Sequence, residues 1–237
     1  MKKFNLSDLV LFENNDYLII DKPAGISTLS DRKEEIHLLK LIREFWPGAI
    51  TGHRLDKDTS GVLAVAKNEE SYRWLSIQFE HRKVEKFYHA LVCGMPAYSN
   101  TEVNAPIEKK DDGTVRISKR GKQAQTFFTT LDHFTKHSLV EARPVTGRTH
   151  QIRIHLSLLG TPILGDVLYG GEQLFLSSIK RGYKPGKGQE ERPVSEKMAL
   201  HSKKLRFLDQ NGHPIMAEAP YPKDFKALLN QLTRNRS

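Results

Sequence analysis

The sequence predicts an α+β fold: a mixed, largely antiparallel sheet with flanking helices. Three observations point there. Strand-like and helix-like segments follow one another in mixed order rather than as a regular strand–helix–strand series. Two β-prone segments, 125–131 and 138–142, flank the polar turn 132–136 and are spaced to pair as antiparallel neighbours. The chain has 237 residues of which 38% are hydrophobic, enough to fill a sizeable core. A single domain over 1–237 is expected, with no long internal repeat, low-complexity tract or interdomain linker.

The elements follow in order. Residues 17–20 form a short apolar β-prone run closed by Asp21-Lys22-Pro23 and Gly25, hence a strand and a loop. Ile36, Leu38, Leu39, Leu41, Ile42 and Phe45 recur at near-helical spacing until Pro47-Gly48 stops the helix. A polar, charged stretch over 52–61 leads into the apolar strand 62–66. Asn68 is placed to cap a helix towards Glu80, with Trp74, Ile77, Gln78 and Phe79 along one side. A strand is expected over 87–92. Thr149 is placed to cap a helix lined by Ile152, Leu156 and Leu159 and ended by Gly160. Residues 170–196 have the composition of a basic, Gly- and Pro-containing insertion. A strand over 205–208 and a terminal helix containing 225–229 complete the set.

Composition narrows the function classes. No apolar run approaches the roughly 18 to 20 residues that cross a bilayer, and Asp8, Glu13 and Asp16 interrupt any apolar region behind Lys2 and Lys3. One cysteine excludes an internal disulfide framework, so a cytoplasmic protein is expected. The net charge of +9 favours a polyanionic partner, and it is clustered. Residues 109–122 carry an excess of +4 and residues 180–192 an excess of +3. Arg143, Arg148 and Arg153 have no acid among them. Solvated loops and a phosphate-binding surface account equally well for these clusters.

Chemistry concentrates in Thr51-Gly52-His53-Arg54-Leu55-Asp56-Lys57-Asp58-Thr59-Ser60-Gly61. A carboxylate between two cations is held ionised, which suits a nucleophile or an electrostatic group better than a general acid. Thr59 and Ser60 can tie the loop down through backbone hydrogen bonds. Taken alone, the segment reads first as a charged turn stiffened by ion pairs.

His53-Arg54-Leu55-Asp56 with Thr59-Ser60-Gly61 resembles the signature of the pseudouridine synthase family, in its RluA-type branch. Further strings carry the resemblance: Gly147-Arg148-Thr149-His150-Gln151-Ile152-Arg153-Ile154-His155 continuing through Gly160, Pro162, Gly165-Asp166 and Tyr169-Gly170; Asp21-Lys22-Pro23-Ala24-Gly25; Lys86-Phe87-Tyr88-His89-Ala90-Leu91-Val92; and Leu200-His201 before Leu205. Order and separation agree from about residue 12 to residue 222. The resemblance implies isomerisation of uridine to pseudouridine in structured rRNA or tRNA, on a catalytic fold with a central RNA cleft. Many relatives carry an N-terminal RNA-binding domain, for which this chain has no room ahead of its first catalytic strand; target choice then falls to catalytic-domain loops, the 170–196 insertion or another protein.

The family's catalytic aspartate maps to Asp56, acting at C1′, on the C2′ proton, or by the older proposal at C6. Its basic partner maps to Arg153, for which a bidentate pair with Asp56 is expected. Its active-site tyrosine maps to Tyr88, whose ring would stack on the flipped uracil and whose hydroxyl would assist proton removal at C5. His53, Arg54, Thr59, Arg148, His150 and Gln151 are expected to bind substrate, Arg54 by helping to replace the flipped nucleotide; His53 may equally organise the loop. Arg116, Lys119, Arg120, Lys180, Arg181 and Lys184 are candidate peripheral RNA contacts.

No metal or other cofactor is expected. His150 and His155 are five positions apart and no Cys cluster completes a ligand set. Asp56 and Asp58 sit among Arg54 and Lys57, which compete with a divalent cation. Lys184-Pro185-Gly186-Lys187-Gly188 lacks the spacing and terminal Lys-Ser or Lys-Thr of a phosphate-binding nucleotide loop. Cys93 reads as a small core residue in a strand. A monomer without an obligate protein partner is expected. The competing function is a non-catalytic RNA-binding or RNA-folding protein on the same scaffold; the presence of Asp56, Tyr88 and Arg153 together argues for the enzyme.

Overall fold

A computed structural model of the chain describes residues 6–30, 36–186 and 190–236; Lys2, Lys3, Lys187 and Gly188 lie outside the described residues. In chain order the elements are β1 (Val10–Glu13), β2 (Tyr17–Lys22), α1 (Leu38–Arg43), β3 (Ser60–Ala66), α2 (Glu69–Glu80), β4 (Glu85–Cys93), β5 (Thr101–Asn104), β6 (Ile107–Lys109), β7 (Val115–Ile117), β8 (Gln125–His133), β9 (His137–Pro144), α3 (Gln151–Leu158), α4 (Leu176–Ile179), β10 (Leu200–Leu208), β11 (Pro214–Glu218) and α5 (Lys223–Arg234). The mixed α+β class expected from the sequence is the class observed, with most strand pairs antiparallel. The chain divides into two compact units. One runs to Phe87 and takes in His201–Pro220; the other comprises Tyr88–Leu200 and the chain from Tyr221.

In the first unit β1, β2 and β3 pair antiparallel, β10 runs parallel to β3, and β11 pairs antiparallel with β10. Tyr17, Leu18, Ile19 and Ile20 are all fully buried, so β2 is apolar on both faces, as an interior strand must be. Every residue of β3 is buried as well. One face of these strands packs Tyr17, Ile19, Val62, Ala64 and Ala66 with Leu75 of α2 and Leu205, Phe207 and Ile215 of the last two strands.

The helix α2 is capped as the sequence predicts: the Asn68 Oδ1 accepts from the Ser71 amide at 2.9 Å. Its inward face differs from expectation. Ser71, Leu75 and Gln78 are buried, whereas Trp74 and Ile77 are exposed. Gln78 is buried because its amide behaves like a neighbouring strand: Nε2 donates to the Leu208 carbonyl at 2.8 Å and Oε1 accepts from the Leu208 amide at 2.9 Å. The helix α1 is shorter than the apolar pattern suggested, starting after His37, whose Nδ1 accepts from the Lys40 amide at 3.2 Å.

In the second unit β4, β9, β8 and β5 form an antiparallel run, with Tyr88 opposite Ala142 and Thr101 opposite Phe128. The expected pairing of 125–131 with 138–142 is present in β8 and β9. The two three-residue strands β6 and β7 form a separate hairpin. Its inward residues Ile107 and Val115 pack with Ala124, with Ile154 of α3 and with Tyr169. Thr149 does not cap α3. The residue preceding the helix is His150, in the left-handed conformation (φ 55°), and it makes no side-chain cap bond. Gly160 follows the helix in the left-handed conformation expected of a terminator.

Candidate active site

The loop before β3 carries Asp56, and its backbone is fastened on both sides of that residue. Leu55, buried, is held by Thr28: the Thr28 hydroxyl accepts from the Leu55 amide at 3.1 Å and donates to the Leu55 carbonyl at 2.9 Å. The Thr59 amide donates to the Asp56 carbonyl at 3.1 Å and closes the turn. The Lys57 carbonyl accepts from the Gly25 amide at 2.8 Å and from the Lys22 ammonium at 3.0 Å. The Asp56 side chain itself is half-buried.

Lys22 is the least ordinary group in this unit. It has no solvent exposure, and its Nζ also donates to the carbonyls of Pro23 at 3.0 Å and Ile26 at 2.8 Å. Three carbonyl acceptors match the three N–H bonds of an ammonium. Burial pushes the amine down to about 7, opposed by the charges of Asp58 and Asp56. The loop then enters β3 through Gly61 (φ 105°), where a Cβ would lie 2.1 Å from the Ser202 carbonyl oxygen, so only glycine fits.

His53 belongs to this framework. Its Nε2 accepts from the Ala64 amide at 2.9 Å, and its ring stacks on Phe79 with centroids 4.6 Å apart. Burial, with Lys86 nearby, drives its pKa down to about 3, so the ring is neutral and carries its proton on Nδ1. Thr59 is likewise sunk, at 2% exposure, whereas Arg54 is exposed.

The second unit holds the remaining candidates. Tyr88 lies on β4 with 9% exposure. Gln151, the first residue of α3, is 3% exposed and spends all four amide positions inside the protein. Its Oε1 accepts from Thr146 Oγ1 (2.7 Å) and the Arg148 amide (2.9 Å); its Nε2 donates to the Gln125 carbonyl and Thr126 Oγ1, both at 2.9 Å. Those four bonds make Gln151 a fastener of the start of α3. Arg148 is exposed, with its Nε donating to the Gln123 carbonyl at 3.0 Å.

Arg153 has a bidentate partner, and it is Asp166. Nε donates to Oδ2 and Nη2 to Oδ1, both at 2.7 Å. The Asp166 carboxylate, thirteen residues along, occupies the Nε–Nη2 edge of the guanidinium. The same guanidinium lies over the Tyr169 ring, 4.8 Å from its centroid. The Tyr169 hydroxyl is 2.7 Å from His150 Nδ1.

Asp166, Tyr169 and Lys22 lay within motif strings but had no role assigned from sequence; Thr28 gave no signal at all. Arg116, Lys119, Arg120, Lys180, Arg181 and Lys184 are all exposed. Arg116 pairs with Glu108 across the β6–β7 hairpin at 3.0 Å. Among the described residues no group of three or more His, Cys, Asp or Glu is arranged to hold a metal ion, and no helix is long and apolar enough to cross a membrane.

Comparison with known proteins adds the following. Residues 16–158 match a family model described as RNA pseudouridylate synthase. Ribosomal large subunit pseudouridine synthase C of Vibrio vulnificus is 32% identical over 240 residues, covering 99% of this chain and 72% of that protein. Across three Vibrio synthases C the match covers from 55% to 72% of the relative's length. An RNA pseudouridine synthase of Zymomonas mobilis is 35% identical over 234 residues, covering 94% of this chain and 98% of that one. The solved structure of human RNA pseudouridylate synthase domain containing 4 superposes with a TM-score of 0.76 at 26% identity, covering 96% of this chain and 94% of that one.

Proposed function

The chain belongs to the RNA pseudouridylate synthase family, and from that premise we propose that it isomerises specific uridines of structured rRNA or tRNA, with Asp56 as catalytic carboxylate and Tyr88 and Arg153 completing the reacting set. It is a pseudouridine synthase, an isomerase. In the reaction N1–C1′ breaks, the freed uracil turns and C5–C1′ forms. C5 loses a proton and N1 gains one, so the atoms balance without oxidant or reductant. The demand on the protein is to hold a detached base and an electrophilic sugar in register while excluding water.

The observation that carries the assignment of Asp56 is the fastening of its loop. Thr28, Gly25, Lys22 and Thr59 fix the backbone immediately before and after it, while the carboxylate remains half-buried rather than sunk. A nucleophile at C1′, or a base for the C2′ proton, needs that fixed placement. Tyr88 would stack on the uracil and assist at C5; Arg54, exposed beside the loop, would take the place left by the flipped nucleotide. His53 is read as organiser of the loop. The exposed cations of the β6–β7 hairpin and of residues 180–184 would meet phosphates and tune the choice of RNA. The enzyme is taken to act as a cytoplasmic monomer without cofactor.

The test is pseudouridine mapping of rRNA and tRNA from cells with and without the gene, the deletion being complemented by wild type or by Asp56→Ala. A site lost on deletion and restored only by wild type supports the assignment and identifies the uridine. A site restored equally by Asp56→Ala overturns it in favour of an RNA-binding protein that does not use this carboxylate.

A further inference from the structure

We infer that Asp166 and Tyr169 are positioning residues for Arg153, clamping its guanidinium at one edge and on one face so that it is presented to the reaction in a single orientation; this rests on the reading of Arg153 as part of the reacting set. The edge is fixed by the two 2.7 Å bonds to Asp166. The face is fixed by the Tyr169 ring 4.8 Å away. A bidentate carboxylate and a ring contact together restrict how a planar cation can turn.

The clamp is rigid because the turn that bears it is rigid. Gly171 and Tyr169 both donate their amides to the Asp166 carbonyl, at 2.8 and 3.1 Å, and the Gly165 amide donates to the Glu172 carbonyl at 2.7 Å. At Gly171 a Cβ would lie 1.9 Å from the Ile163 carbonyl oxygen, so the turn closes with no space for a side chain. Tyr169 is tied to both ends of α3: its hydroxyl to His150 Nδ1, and its carbonyl to the Ser157 hydroxyl at 2.9 Å. The helix carrying Arg153 and the turn carrying its clamp cannot shift independently.

A mere staple between helix and turn would not need these groups. Burying an ion pair roughly breaks even against apolar packing, so the pair is poor value as glue. The asymmetry of exposure also points away from glue: the Asp166 side chain is 2% exposed, the Arg153 side chain 12%. Both partners are largely buried, the acid more deeply than the cation. Nε and one Nη2 hydrogen are committed to Asp166, which fixes that edge of the guanidinium.

The experiment uses total RNA from the deletion strain, labelled with [5-³H]uridine, as substrate for the purified full chain, with tritium release as the readout. That RNA holds the unmodified target whichever molecule it is. Wild type, Arg153→Lys, Asp166→Asn, Tyr169→Leu and the Arg153→Lys/Asp166→Asn double variant are compared for kcat, KM and Tm. A clamp predicts that Asp166→Asn lowers kcat by about 10- to 100-fold with KM within about twofold, as misplacement of a reacting group does. It also predicts that Asp166→Asn adds less than about threefold on top of Arg153→Lys, because both act through one guanidinium. Wild-type kcat for a folded Asp166→Asn, or full additivity in the double variant, overturns the clamp. Wild-type kcat for Arg153→Lys, or no release by wild type, overturns instead the reading on which it rests. Should Asp166→Asn fail to fold, Tyr169→Leu carries the same test, with a kcat loss of about tenfold expected and wild-type kcat overturning the clamp.

Discussion

The loop around Asp56 and the turn around Asp166 both hold a charged group steady, and they do so by different means. Around Asp56 the fastening is made to the backbone: a hydroxyl, two amides and one buried ammonium grip main-chain atoms of residues 55–59. Around Arg153 the fastening is made to the side chain itself, by a carboxylate and a ring. Holding the backbone fixes where the side chain starts from. A side-chain-held group is oriented but partly spent, which suits a cation whose task is electrostatic rather than covalent. Substitutions in the first region should therefore disturb stability and rate together, whereas substitutions in the second should disturb rate more than stability.

The largest effect expected is at the held group of the first region. Asp56→Ala should lower kcat by at least about 10³-fold, since it removes the carboxylate proposed to react. Activity within tenfold of wild type would leave the loop a structural feature. Next comes its fastening. Lys22→Met removes the ammonium from the Pro23 and Ile26 carbonyls, while the Lys57 carbonyl keeps the Gly25 amide, and should cost roughly 2 kcal/mol of stability, with a parallel fall in kcat. Denaturant unfolding checks it; a kcat loss with no change in stability would erase the contrast with Asp166.

A smaller effect comes from acid. The folded pKa of His53, about 3, lies below its ordinary 6.5, so across that window the unfolded chain holds the extra proton. Stability is fully present above about 6.5 and is lost as pH falls towards 3. His137 and His155, also pushed down by burial, add to the loss. The fall in Tm between pH 7 and pH 5 should shrink in His53→Gln without vanishing; an unchanged fall would show that His53 is not held neutral. The smallest effect belongs to the exposed Arg181: as the phosphate contact proposed for it, Arg181→Ala should raise KM about two- to threefold at low salt and leave kcat alone. A kcat change there would place Arg181 nearer the chemistry.

Much of this contrast was legible in the sequence and part of it was not, for identifiable reasons. The long strands, the Asn68 cap and the Asp56 loop all announce themselves through local chemistry. The short strands do not: β11 places only Ile215 and Ala217 inward, and β6 and β7 have three residues each. At α2 the apolar residues misled, because Trp74 and Ile77 face out while Gln78 is buried to bond the Leu208 backbone. Thr149 was a sound cap by type, but His150 adopts the left-handed conformation and displaces the helix start. The Asp166–Arg153 pair had no signal in the sequence, because residue order carries no trace of which groups a turn brings against a helix.

The small core beneath the β6–β7 hairpin separates two kinds of evolutionary freedom. Ile107 and Val115 point into the apolar cluster shared with Ile154 and Tyr169, while Arg116 between the strands' ends points out. Strand alternation thus divides the hairpin into residues that support the arginine clamp and residues that meet solvent. Charges on the outward set can change without altering that core. The inward pair is not free to drift with them, since each methyl lost there loosens the ring against which Arg153 lies. A graft of this hairpin onto a relative should carry over its RNA preference only if the inward residues travel with the charges.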